Sequence, residues 1–227
     1  MRFFRLSLAV LATALASCAS APPPALPQDD GWHPQALPGK PATRYEWADK
    51  EGRRAVQATA RRSASMWRKR VAPAAQARQV TFSWWVQDLL PVASVADAES
   101  EDASVRVMFG FDGDTTALPL RTRMLFDLAE ALTGEPPPYA TLAYVWDTKL
   151  PVGTVVTHPR SDRIRSIVVD SGSDQLRRWR DHKRDLAADF RLAFGEEPGP
   201  LTMIALMTDS DNTRADARAW YGPVELD

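Results

Sequence analysis

The sequence predicts a mainly β domain over residues 45–227, an antiparallel β-sandwich of jelly-roll type with two helical insertions. Three observations carry this. Several short segments alternate with period two, are rich in β-branched and aromatic residues, and are mostly bounded by turn formers. Only two stretches repeat apolar residues at steps of three or four. Strands and helical stretches do not alternate strictly, which argues against a doubly wound parallel sheet.

The chain opens with a targeting segment rather than a fold element. Arg2 and Arg5 form a cationic leader, and Leu6 to Leu15 is an apolar run too short for a finished membrane span, so residues 1–17 read as a cleaved signal peptide. Leu15-Ala16-Ser17-Cys18 looks like a bacterial lipobox, in which the Cys18 thiol takes up a diacylglycerol and becomes the mature N-terminus. Ordinary cleavage after Ala19-Ser20-Ala21 is the alternative, disfavoured by Pro22 just beyond the scissile bond. Cys18 is the only cysteine, so the chain can form no internal disulfide. Two or three acyl chains, at about 0.8 kcal/mol per buried CH₂, make a firm membrane anchor. Ala19, where an aspartate would signal inner-membrane retention, favours the outer membrane, with the periplasm-facing side expected. Residues 18–44, with Ala21-Pro22-Pro23-Pro24-Ala25-Leu26-Pro27, read as a polyproline tether.

Within the domain, Arg53 to Ala60 is a weak strand candidate, and the run Arg61 to Arg70 reads as a solvated basic edge, with contact to an anionic glycan or lipid headgroup as the alternative. Val80 to Val86 is the clearest strand, with Val80, Phe82, Trp84 and Val86 on one face and Thr81, Ser83 and Trp85 on the other. Val105 to Phe111 repeats the pattern and ends in Asp112-Gly113-Asp114, which supplies turn chemistry. Arg121 to Leu132, stopped by Gly134, is the first helical stretch. Leu142 to Trp146 and Ile164 to Val169 are strands. Asp174 to Phe194, stopped by Gly195, is the second helix, carrying an arginine-rich outer face. Leu201 to Met207 and Trp220 to Leu226 complete the strands.

Lys and Arg total 28 against 29 Asp and Glu. Removing the leader takes two arginines and leaves a slightly acidic chain, which argues against a dedicated nucleic-acid binder. Nucleophilic catalysis has little support. His33, His158 and His182 are the only histidines, and the sequence holds no Gly-x-Ser-x-Gly elbow, His-Glu-x-x-His pair or phosphate loop.

Two constellations remain. Thr208-Asp209-Ser210-Asp211-Asn212-Thr213 follows an apolar strand, and Asp209, Asp211 and Asn212 are the metal-ligand candidates, with Ca²⁺ the cation that such oxygens suit. The same residues equally make a turn bonded to its own backbone. The non-core face of the sheet offers Trp85 and Arg106 with Asp102 just upstream, a set able to stack a sugar ring and bond its hydroxyls, and the strand aromatics Tyr144 and Trp146 are added as further ligand-binding candidates. Asp102, Asp209 and Asp211 are also the candidate acids for a glycan-cleaving enzyme.

Phe82-Ser83-Trp84-Trp85-Val86, Asp102 with Arg106-Val107, and Leu142-Ala143-Tyr144-Val145-Trp146 form one part of a longer pattern. Ser171-Gly172 ahead of Trp179, Asp189-Phe190 with Phe194-Gly195, and Thr208 to Thr213 leading to Trp220-Tyr221-Gly222 continue it. Together these resemble the bacterial exported domain of unknown function 3047 group. The resemblance implies a secreted β-sandwich-like domain and no established activity. The expected function is a lipid-anchored envelope protein that binds a carbohydrate-like ligand through Trp85, Arg106, Asp102, Tyr144 and Trp146. The alternatives are a polysaccharide hydrolase or lyase using an Asp pair, and a scaffolding lipoprotein whose basic helix Leu176 to Phe194 docks a protein.

Overall fold

The computed structural model describes residues 31–72 and 79–227. The expected signal peptide, Cys18 and the expected tether as far as residue 30 lie outside the described residues. The described chain forms β1 (Trp32–Ala36), β2 (Arg44–Lys50), β3 (Arg53–Arg61), β4 (Ala64–Arg70), β5 (Gln79–Val86), β6 (Ala103–Phe111) and α1 (Leu120–Thr133). It continues through β7 (Ala140–Asp147), β8 (Val155–Thr157), β9 (Ile164–Ser171), β10 (Trp179–Asp185), α2 (Leu186–Phe194), β11 (Leu201–Asp209), β12 (Asp216–Tyr221) and β13 (Glu225–Leu226). One sheet has the order β1-β4-β11-β6-β7-β9-β8, the other β10-β5-β12-β3-β2 with β13 beside β5. Every pairing is antiparallel except β7 with β9. Consecutive strands from β3 to β6, and again from β9 to β12, switch from one sheet to the other, the wrapping of a jelly roll. The protein is a β-sandwich with two helical insertions.

Period-two alternation builds the core. Phe82 and Trp84 from β5, Val107 and Phe109 from β6, Leu142 and Tyr144 from β7 and Tyr221 from β12 all project between the sheets and are buried. The rings interlock, with Phe82 stacked on Tyr144 at 5.3 Å and Phe109 edge-on to Tyr144 at 5.8 Å. α2 is capped by Asp185, whose carboxylate accepts from the Ala188 amide at 2.9 Å, and it buries Leu186, Phe190 and Ala193 against the sandwich. α1 behaves differently. It has no side-chain N-cap and buries only Thr122, so it lies over the outer face of the seven-stranded sheet without sealing it.

Four expectations are corrected. Residues 179–185 form β10 and not the first half of a helix. Arg180, His182 and Arg184 turn inward and reach Asp170 and Asp189 in the packed interior, while pairing with β5 runs from Trp179↔Trp85 to Asp185↔Gln79. Ala64–Arg70 is an interior strand between β1 and β11, not a solvated edge, because Trp67 enters the core while Arg68 and Arg70 bond Glu135. The sandwich starts within the expected tether, since Trp32–Ala36 pairs with β4. Trp220 to Leu226 breaks at Gly222-Pro223 into two strands.

Gly110 faces outward on β6, where an added Cβ would lie 2.7 Å from Pro138 Cγ and 3.2 Å from Met203 Cβ. Gly110→Ala is therefore expected to cost about 1–3 kcal/mol, read as a lower urea midpoint. An unchanged midpoint would show that the Pro136–Pro138 segment yields freely.

Candidate functional site

The outer face of the seven-stranded sheet carries Met66 on β4, Met108 on β6, and Met203 and Met207 on β11. Between them stand the short side chains of Gly110, Ala143 and Ala205, so the middle of this face is low. α1 spans it with Thr122, Leu125, Phe126, Ala129 and Thr133 turned down, and Pro136 to Pro138 close one side. The result is a cavity of about 420 Å³ with a methionine floor and a helical roof. Thioether side chains are flexible and polarizable, so such a floor adapts to the shape of what it meets.

One end of the cavity is polar. Glu101 accepts from Arg106 Nη1 at 3.2 Å through one oxygen, and its other oxygen lies 2.9 Å from His158 Nε2 and 3.8 Å from Arg160 Nη1. Arg106 also donates to Asp209 Oδ2 at 3.1 Å and to the Glu101 carbonyl. Burial alone would raise the Glu101 carboxyl, but the His158 bond and the Arg106 charge outweigh it and hold the group below its ordinary range. Asp209 goes the other way: burial, with the Asp102 carboxylate nearby, pushes it up to about 7 in spite of Arg106. Arg68 and Glu135 bond each other elsewhere on the wall.

The candidate residues from the sequence separate into three places. Arg106, Asp102 and Asp209 do come together, because β6 and β11 are neighbours. Trp85 is on the outer face of the opposite sheet. There its ring meets Trp220 edge-on at 4.9 Å, Lys50 Nζ sits 3.5 Å above it, and its Nε1 donates to Glu51 at 3.0 Å. With 5% exposure it offers no stacking platform, and it shares no pocket with Arg106. Tyr144 and Trp146 point between the sheets, not at a surface. Tyr144 donates to Asp189 at 2.6 Å and Trp146 to the Gly172 carbonyl at 2.9 Å, and both rings are buried core.

The acidic loop is tied down by its own chain. Asp102 accepts from the Asn212 amide at 3.2 Å and from the Thr213 amide and hydroxyl at 2.7 and 2.6 Å. Asp209 takes the Ala103 amide at 3.0 Å besides Arg106, Asp211 pairs with Lys40, and the Asn212 amide group donates to Ala98 O at 3.2 Å. Carboxylate oxygens of Asp102, Asp209 and Asp211 lie within 4.8 Å of one another. However, Arg106 and Lys40 already neutralise two of them, and Asn212 is turned away. This donor set does not fit Ca²⁺, which asks for six to eight oxygens. Neither Asp102 nor Asp209 lines the cavity, so the pair is not placed to work on a ligand there.

Four of the five arginines in the expected docking helix are paired with acids of the chain itself, Arg177 with Asp88, Arg180 with Asp170, Arg184 with Asp189 and Arg191 with Glu197, and Arg178 donates to the Asp174 carbonyl. Sequence reasoning missed the methionine floor and the Glu101–His158 contact. The methionines did occupy the non-core parity of their strands, a readable signal, whereas His158 is brought to Glu101 by the sheet alone. Among the described residues no helix is long and apolar enough to cross a membrane.

No curated protein matches the chain. Among solved structures, it is similar to the family 11 carbohydrate-binding module of the cellulosomal cellulase Lic26A-Cel5E of Clostridium thermocellum. Identity there is 8%, coverage 86% of each chain and the TM-score 0.41. It is also similar to the cellulose induced protein Cip1, at 9% identity over 89% of this chain and 93% of that one, with a TM-score of 0.37. The family model described as protein of unknown function (DUF3047) matches residues 30–225, nearly the whole described sandwich, and the chain belongs to that family.

Proposed function

We propose that this protein is an exported module, anchored through Cys18 to the outer membrane and facing the periplasm, that binds a small amphipathic ligand without transforming it. The observation that carries this reading is the cavity of about 420 Å³ beneath α1, apolar along its methionine floor and polar at Glu101, Arg106 and His158. A concave, mostly apolar hollow with a few converging polar groups is the usual form of a small-molecule site. The apolar part of the ligand lies along Met66, Met108, Met203 and Met207, and its polar end meets Glu101, His158 and Arg160.

The test uses anilinonaphthalene sulfonate, an aromatic dye with an anionic head. The native chain is expected to bind it with one-to-one stoichiometry. Ala129→Trp, which fills the cavity from the half-buried side of α1, is expected to abolish that binding while leaving the unfolding midpoint in place. Dye binding that survives Ala129→Trp would remove the cavity as the site.

A carbohydrate-like head is the second reading. It is favoured by the mixed set at the polar end, where the Glu101 acceptor stands beside the Arg160 and His158 nitrogens, as hydroxyl groups require. Displacement of the dye by an alkyl glucoside but not by free glucose supports the amphiphile. Displacement by free glucose supports the sugar.

A further inference from the structure

We propose that the outward face of α1 is a docking surface for a lipid bilayer, a reading that rests on the Cys18 anchor. Leu120, Met124, Leu125, Leu128 and Leu132 are 65%, 62%, 43%, 54% and 61% exposed, and all five lie on this one helix; only Val92, Val152 and Leu192 are comparably exposed elsewhere among the described residues. At about 100° per residue, Leu120, Met124, Leu128 and Leu132 share one arc, and Thr122, Phe126, Ala129 and Thr133 fall on the arc turned to the cavity. Arg123, Asp127 and Glu130 fill a narrow strip between the two. A surface helix ordinarily turns its single apolar stripe inward. α1 has a second one facing out, and a contiguous exposed ridge of this kind marks an interaction site where scattered apolar residues do not.

Two features select a bilayer as the occupant. The first is the length of the segment that follows Cys18. Ala19 to Gly31 is all that separates Cys18 from β1, and at about 3.1 Å per residue it holds the domain within roughly 40 Å of the anchoring lipid. β1 is an edge strand of the sheet whose outer face α1 covers, and Gln35 and Leu37 line the cavity α1 roofs, so the first described strand lies beside α1. At such an effective concentration, a contact too weak to form in solution becomes the resting state. The second is charge. Arg121 lies exposed inside the ridge, where its stem can lie along apolar surface while the guanidinium meets an anionic headgroup, and Arg123 shares the neighbouring strip with Asp127 and Glu130.

The test places a single thiol on the ridge of the full-length, processed protein. In Leu128→Cys the introduced thiol is the only free one once Cys18 is acylated. Leu192→Cys, 63% exposed on the other helix, is the control. Each is labelled with an environment-sensitive fluorophore in vesicles of three parts phosphatidylcholine to one part phosphatidylglycerol. Iodide quenching at position 128 is expected to fall about threefold or more on vesicle binding, with none of that change at position 192. A lipidated chain that floats with vesicles yet is quenched equally at both positions overturns the docking surface. Protection at 128 that appears without vesicles and grows with protein concentration also overturns it, in favour of a second copy of the chain. The mass of the mature N-terminus reads the anchor separately. An unmodified Cys18 removes the anchor, and the docking face is then read in Leu128→Cys carrying Cys18→Ser, where the label again sits at one position: vesicle-dependent protection keeps it and none overturns it.

Discussion

Replacing Arg106 with methionine is expected to lower the unfolding free energy by about 3–5 kcal/mol, enough to bring a domain of ordinary stability close to its threshold. The guanidinium is 4% exposed and is shared between Glu101 and Asp209, two carboxylates that are themselves 8% and 5% exposed. Methionine keeps the stem's contacts with the neighbouring Met207 but removes the only arginine bonded to both acids. The penalty is mainly the desolvated charge left behind. It should therefore shrink at low pH, where Asp209 can take up a proton, and grow above neutrality. Urea unfolding at pH 5 and pH 8 reads both. A loss below about 1 kcal/mol at pH 8 would mean that water reaches these acids in the native state. Adding Asp209→Asn to Arg106→Met should restore part of the loss, because one of the stranded charges is then gone.

The second large effect is a pH dependence opposite to that of most carboxylates. Asp209 moves from an ordinary value of 3.8 to about 7 in the folded chain. The native state therefore holds a proton that the unfolded state has released. This group's stability is fully present below about pH 4 and is lost as pH rises toward 7. At about 1.4 kcal/mol per unit, the change across that window is roughly 4 kcal/mol. Glu101 and Asp170 have the reverse sign, since both are held below their ordinary values, so their contribution is lost only in strong acid. Stability should peak near pH 4 and fall on either side. Asp209→Asn is expected to flatten the neutral arm while leaving the acid arm. A native chain equally stable at pH 5 and pH 7 would show that Asp209 is ionised throughout.

Much of the sandwich was legible because one parity of each central strand is large and apolar. Val80, Phe82, Trp84 and Val86 could only face a core, and so could Val105 to Phe111 in alternate positions. The same parity put Trp85 on the far side from Trp84, correctly, but could not show that Lys50 and Glu51, in a hairpin more than thirty residues away, cover its ring. Leu142, Tyr144 and Trp146 share one face, and their size belongs to the interior; treating the last two as a binding surface ignored that. The strands that were missed are the charged ones. Arg68 finds Glu135 and Arg180 finds Asp170 only after the sheets assemble, so a run that looks solvated in the chain is paired in the fold. The candidate site was half legible. Asp102, Arg106 and Asp209 were all singled out, but their meeting depends on β6 lying beside β11, a sheet order that no local pattern specifies.

The borders of the two sheets have a consequence of their own. Each sheet ends in strands ill-suited to recruiting another chain: β1 contains Pro34, β8 is three residues long, β2 carries Arg44, Glu46, Asp49 and Lys50, and β10 reads Trp-Arg-Asp-His-Lys-Arg-Asp. Proline lacks the amide a ladder needs, a very short border offers too few bonds, and charges resist burial between backbones. Copies crowded side by side thus have no frayed hem along which to polymerise, and a high local density is tolerated without fibre formation.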